Sequence, residues 1–207
     1  MKVLLVAATA AEVQPVLDRI GSGFGNRHLS TLIAGVGMTA FTHALTKRLS
    51  EEKFDLILNV GIAGSFDPAL PLCSVVAVVS DCFYELGAED GTEFIPADRL
   101  GLVSTVHVSP EFPGPIGSLP AVKGITVSRV HGEDASIALA LQRAPAQVES
   151  MEGASFYYVC NKEHVPCLQI RAISNRVERR NRADWNIPGA LHALADAVND
   201  YLQSLPS

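Results

Sequence analysis

The chain has 207 residues, of which 48% are hydrophobic and 18% charged, with 16 Gly and 12 Pro. That balance belongs to a globular chain with enough apolar surface for a sizeable core and too little charge for disorder. Sixteen Lys and Arg against 22 Asp and Glu leave a formal net charge of −6, which argues against the basic face that nucleic-acid binding needs.

Val3–Ala8 is a short continuous apolar run, as expected of a strand covered on both faces. Thr9-Ala10-Ala11-Glu12 has capping-box spacing and predicts a helix with Val13, Val16, Leu17 and Ile20 on its inner side. Leu29–Ala34 reads as a strand and Met38–Leu49 as a helix with Phe41, Leu45 and Leu49 inward. Leu56–Val60 reads as a third strand that ends in a turn at Gly61–Gly64. Val75–Val79 and Ile125–Val130 are further strong strands, and the Val75–Phe83 region reads as consecutive strands. Between them Ser109–Pro120, with prolines at 110, 113, 115 and 120, predicts a loop. Helices over Ala135–Arg143 and Gly153–Glu163, a strand at Cys167–Ile173 and a terminal helix from Pro188 to about Leu202 complete the chain. The alternation predicts an α/β fold with a mostly parallel, mixed sheet covered on both faces. With no repeat and no linker, residues 1–207 are expected to form one domain.

No apolar run approaches the ~20 residues that span a bilayer. The apolar start carries Glu12 and Asp18 and has no cleavage site. No membrane partner and a cytoplasmic location are therefore expected. The four cysteines form no CxxC and the six histidines no HExxH or zinc-spaced cluster, so free thiols and no metal are expected. Gly35-Val36-Gly37-Met38-Thr39-Ala40 matches G-x-G-x-x-A, but it does not open the fold. About 20 residues on, it meets Asn59 rather than an acid, so close backbone packing is favoured over a dinucleotide. There is no phosphate-cradling G-x-x-x-x-G-K-[ST] and no G-x-S-x-G; no cofactor is expected.

In open α/β sheets, ligands bind outside the carboxyl ends of the strands. Those ends present Glu12, Gly61–Gly64, Val130–Glu133, Met151-Glu152 and Ser174-Asn175. Two carboxylates, an amide and a glycine turn would converge there without a Ser or Cys nucleophile. That inventory suits chemistry done by polarising water and stabilising a cationic sugar.

Asn59-Val60-Gly61-Ile62-Ala63-Gly64, Val148-Glu149-Ser150-Met151-Glu152-Gly153-Ala154 and Ile170-Arg171-Ala172-Ile173-Ser174-Asn175 stand in order at suitable spacing. Together they resemble the purine nucleosidase/nucleoside phosphorylase superfamily, over nearly the whole chain. The tail from Arg171 to Arg182, followed by Trp185, is similar to that of the futalosine hydrolases, which remove hypoxanthine from futalosine in a menaquinone pathway. The resemblance implies a three-layer α/β/α fold, a small-molecule purine nucleoside as substrate, no cofactor and a homo-oligomer. Methylthioadenosine/adenosylhomocysteine nucleosidases, purine nucleoside phosphorylases and a catalytically silent purine binder are the competing readings.

Carried over residue by residue, Glu12 activates the attacking water; a capping-box glutamate would need no chemistry. Residues 7–15 contain no Arg or Lys to hold phosphate, which favours water as the acceptor. Glu152 accepts hydrogen bonds from the ribose hydroxyls and Met151 packs on the sugar, against a plain first-turn acid for Glu152. The backbone around Ala63 and Gly64 lines the purine pocket. Asn175 stands where adenine-specific relatives carry Asp; its amide can donate to a 6-oxo group and accept from N7–H, against a capping role. An Asn cannot act as an ordinary acid, so the N7 proton would arrive through water. Arg176–Arg182 is either solvated surface or the partner of a substrate carboxylate, and Trp185 either core or cover for an aromatic ring. Any base-stacking residue in 127–147 is left open.

Overall fold

The computed structural model describes residues 1–21, 28–108 and 119–205. Strand β1 (Lys2–Ala7) is followed by α1 (Ala10–Ile20), β2 (His28–Ile33), α2 (Met38–Glu51), β3 (Leu56–Ser65) and β4 (Val75–Phe83). Then come β5 (Gly87–Asp90), β6 (Glu93–Pro96), β7 (Val106–Val108), β8 (Ala121–Thr126), α3 (Asp134–Arg143) and β9 (Val148–Ser150). The chain closes with α4 (Gly153–Glu163), β10 (Cys167–Arg176), a short 3-10 turn at Arg182–Asp184 and α5 (Ile187–Ser204). Most of the expected Ser109–Pro120 loop lies outside the described residues.

The central sheet is mixed. β2, β1, β3 and β10 run parallel in that order, and β4 pairs antiparallel with β10. β8 lies parallel to both β4 and β9, and β9 returns antiparallel to the end of β3 at Gly64 and Ser65. Strands β3, β10, β4, β8 and β9 thus close into a ring, while β1 and β2 extend an open wing.

Alternation along the parallel strands sends their side chains to two helix layers. Val3, Leu5, Leu58, Val60, Leu168 and Ile170 pack on α1 and α5. Leu4, Val6, Ile57 and Cys167 pack on α2 and α4 through Phe41, Leu45, Phe156 and Val159. Each fully buried side chain of this kind contributes roughly 1.5–3 kcal/mol. The ring has its own core of Ala63, Val76, Val78, Val122, Val148 and Ile173. The three-layer α/β/α architecture follows.

Four expectations are corrected. Gly61–Gly64 is not a turn: β3 runs on to Ser65, because β10 pairs with it along its whole length and β9 takes up its free edge. β10 likewise runs on to Arg176, which puts Asn175 inside the strand. Val75–Phe83 is one strand with a register shift between Val78 and Ser80, whereas the strand placed at Ile125–Val130 is β8 and ends at Thr126. Beyond it the chain leaves the ladder, and the Ser128 N–H is taken by the Glu85 carboxylate, 2.9 Å away.

Candidate active site

The parallel strands β1, β3 and β10 deliver their carboxyl ends to one side of the sheet, where two polar groupings form. The first lies over Gly61. Glu12, in the first turn of α1, reaches back to the Thr9 N–H (3.0 Å) and hydroxyl (2.8 Å) through Oε2, while Oε1 accepts from the Ile62 N–H at 3.2 Å. Its capping role and its place in the cleft therefore coexist. A Cβ on Gly61 would sit 2.6 Å from Glu12 Oε1 and 2.3 Å from Arg171 Nη1, so only glycine leaves room for both groups over β3.

Glu152 joins from the β9–α4 junction. It occupies the cap of α4, yet its side chain does not bond its own helix. Oε1 instead accepts from the Gly37 N–H at 2.9 Å, and Oε2 lies 4.0 Å from Arg171 Nη2. The plain first-turn reading of Glu152 does not describe this geometry. The G-x-G-x-x-A stretch explains itself here: Gly35 and Gly37 both have φ near +90°, and Gly35 packs against Ala40. The resulting turn presents the N–H that orients Glu152. Burial raises the Glu152 carboxyl above its usual range, and the nearby Glu12 charge adds to this, while Arg171 and the backbone N–H groups oppose it.

Arg171 is buried on β10 and had no assigned role in the sequence reading. Its Nε donates to Gln169 Oε1 (2.8 Å), Gln169 Nε2 donates to Asp81 Oδ2 (3.1 Å), and the Thr126 hydroxyl donates to Asp81 Oδ1 (2.8 Å). Beyond its ion pair with Glu152, Arg171 Nη2 has no hydrogen-bond partner. A buried guanidinium needs compensating charge, and Glu12, Glu152 and Asp81 surround it with three carboxylates. Burial pushes Asp81 up to about 6. The signal was present in the sequence: Gln169 and Arg171 alternate with Leu168, Ile170 and Ala172, which marks one polar face in a buried strand.

The second grouping lies three residues along β3, at Gly64, which at ~3.3 Å per residue is about 10 Å away. A bulge between Ile173 and Asn175 places Asn175 opposite Gly64. Its Oδ1 accepts from the Ser174 hydroxyl and its Nδ2 donates to the Arg176 carbonyl, each at 2.8 Å. One N–H and one lone pair of the amide remain for a ligand. Asn175 lines a cavity of about 80 Å³ with Gly64, His131, Glu149, Arg180 and Trp185 among its walls. His131 and Glu149 were not singled out from sequence; the Val130–Glu133 loop was. Trp185 is half-buried, and Arg180 stacks over its ring at 5.1 Å. Arg176 is spent on the Asp67 and Pro68 carbonyls. Ala63 is buried in the ring core beside this cavity, and Met151 is half-buried next to Glu152.

A larger cavity of about 530 Å³ adjoins the Gly37–Glu152 contact. Met38, Thr42, Phe83, His107, Ser155 and Tyr158 line it. His107 Nε2 is buried there without a partner. Among the described residues no group of three His, Cys, Asp or Glu could hold a metal, and no helix is long and apolar enough to cross a membrane. None of the four cysteines is in a disulfide.

An anionic end with one buried arginine and an amide end, joined by a continuous strand, are the features of a nucleoside-type cleft. The chain belongs to the phosphorylase superfamily, whose family model matches residues 8–203. More particularly, it is 35% identical over 219 aligned residues to the futalosine hydrolase of Acidothermus cellulolyticus, covering 95% of this chain and 88% of that one. Among solved structures, the 5′-methylthioadenosine/S-adenosylhomocysteine nucleosidase of Helicobacter pylori with butyl-thio-DADMe-Immucillin-A has a TM-score of 0.83. Its identity is 16%, with 99% of each chain covered. A futalosine hydrolase mutant of Helicobacter pylori has a TM-score of 0.82 at 16% identity, covering 99% of this chain and 100% of that one. At such identities the structures speak to the fold alone.

Proposed function

We propose that this protein hydrolyses the N-glycosidic bond of futalosine, releasing hypoxanthine and dehypoxanthine futalosine, and acts as one domain in the cytoplasm. The observation that carries this reading is the placement of Glu12, Arg171 and Glu152 over Gly61 and of Asn175 opposite Gly64, about 10 Å further along β3, a distance of the order that a purine nucleoside spans from its ribose hydroxyls to the far edge of its base. Similarity to a futalosine hydrolase over 95% of the chain supports the choice of substrate.

The bond breaks through an oxocarbenium-like ribose. Glu152, held by the Gly37 N–H, accepts hydrogen bonds from the ribose hydroxyls, and these strengthen as the ring becomes cationic. Met151 packs on the sugar. Glu12 takes a proton from the attacking water while its cap bonds fix the carboxylate. Arg171, locked by Gln169, sets a positive charge beside the Glu12 and Glu152 carboxylates and offers Nη2 to the water. At the other end, Asn175 donates to the 6-oxo group, the backbone at Ala63 and Gly64 lines the base, and Trp185 covers it. The aromatic cavity beside Glu152 takes the 5′ arm, with His107 Nε2 as its polar contact. Leu86 and Val103 of its lining are exposed, as are Val36, Val106 and Val108, which neighbour lining residues in sequence, and a second copy of this chain covers them.

Glu12→Gln tests the assignment. It should abolish turnover of futalosine, by roughly 10²-fold or more, and leave hypoxanthine binding by calorimetry unchanged. Full residual activity would reduce Glu12 to a helix cap.

A further inference from the structure

The amide of Asn175 can hold a 6-oxopurine but has no proton to give it, and the departing base needs one. Among the described residues lining the Asn175 cavity, the arginines carry protons too tightly held to serve. His131 is the one imidazole among the lining residues, the side-chain type most used for proton transfer in catalysis. Its placement is not that of a loop histidine left to solvent. Nδ1 lies 2.7 Å from Glu149 Oε2, and the backbone N–H of the same residue donates to Glu149 Oε1 at 3.1 Å, so one carboxylate grips both the ring and the main chain. Glu149 is almost fully buried on β9 and the His131 side chain is about nine-tenths buried. The rings of Tyr84 and Phe66 stand edge-on to the imidazole at 5.4 and 6.2 Å, which restrains its plane. Burying a carboxylate for a surface loop costs stability, as the raised Glu149 carboxyl reflects. The expense is intelligible when the histidine is required in one orientation.

We infer that His131, oriented by Glu149, is the general acid that protonates the departing base, with Asn175 as the recognition group beside it. This rests on the substrate reading above. With Nδ1–H committed to Glu149, the transferable proton is the one on Nε2. As the C1′–N9 bond breaks, its electron pair goes to the purine and the Nε2 proton passes to the base at N7. Water supplies hydroxide to C1′ and its proton goes to Glu12. Glu12 then releases a proton to solvent and His131 regains one, which balances the hydrolysis.

The test uses the full-length protein with futalosine as substrate and hypoxanthine as the binding probe. His131→Gln and His131→Asn should lower kcat by roughly 10²–10⁴-fold and leave the hypoxanthine Kd within about threefold. Glu149→Gln, isosteric with the native residue, should lower kcat by about tenfold, and the Glu149→Gln/His131→Gln double variant should be no slower than His131→Gln alone. Parallel losses of kcat and base affinity in the His131 variants would make His131 a reader of the base and overturn the proposal. So would unchanged kcat in those variants, or unchanged kcat in Glu149→Gln, which carries the test even where the His131 variants do not fold. Wild-type protein that releases no hypoxanthine from futalosine would refute the substrate reading instead.

Discussion

Gly61→Ala places one methyl carbon 2.3 Å from Arg171 Nη1 and 2.6 Å from Glu12 Oε1. Ordinary contact needs about 3.4 Å, so each charged group must retreat by roughly 1 Å, a displacement that costs on the order of 10²-fold when it misplaces reacting groups. That loss corresponds to about 2.7 kcal/mol of transition-state stabilisation. The fold should hardly register the change. Gly61 lies in a strand that pairs with β10, and the atoms displaced are side-chain ends, not backbone. Alanine also relieves the entropic cost of a strand glycine, about 0.5–1 kcal/mol, which offsets the strain. Steady-state hydrolysis beside a thermal melt decides the matter. The expectation is kcat down about 100-fold with a Tm within about 4 °C of wild type. Unchanged kcat at unchanged Tm would mean that the groups over Gly61 take no part in the reaction.

Two further outcomes are expected. Asn175→Asp removes the donor to the 6-oxo group, so kcat/KM for the hypoxanthine nucleoside should fall about 10- to 100-fold, with adenine nucleosides gaining; an unchanged base preference would remove Asn175 from its role. Asp81, raised to about 6 by burial, holds its proton longer in the folded chain than in the unfolded one. The stability it contributes is therefore present at acid pH and lost as pH rises toward 6. Measured by urea unfolding between pH 4 and pH 7, Asp81→Asn should gain on wild type by on the order of 3 kcal/mol. Parallel curves for the two proteins would contradict the buried, raised carboxyl.

Much of the fold was legible because burial on both faces writes itself as apolar runs. α4 falls at Gly153–Glu163 as its pattern predicts, and β1 and α2 differ only at their ends. The glycines at 61 and 64 misled because glycine signals a turn locally, whereas here the space over Gly61 belongs to side chains from α1 and β10. β5 and β6 are four-residue strands of one hairpin, β5 exposed and β6 mostly half-buried, and β9 has three residues; none is long enough to carry a readable period. Glu12, Glu152 and Asn175 became candidates through motifs. Arg171, Gln169 and Asp81 were visible only as polar residues inside apolar strands, and what they do depends on which strands become neighbours. His131 and Glu149 are 18 residues apart, and only the β8–β9 pairing and the loop between them bring the two together.

The central claim is hydrolysis of a 6-oxopurine nucleoside by a phosphate-independent cleft. It is tested most directly by chromatography of reactions with futalosine, inosine and methylthioadenosine, each with and without phosphate. The account predicts hypoxanthine from futalosine at a rate that phosphate does not change. Adenine release from methylthioadenosine as the main activity would contradict the role given to Asn175, and a requirement for phosphate would contradict the role given to Glu12.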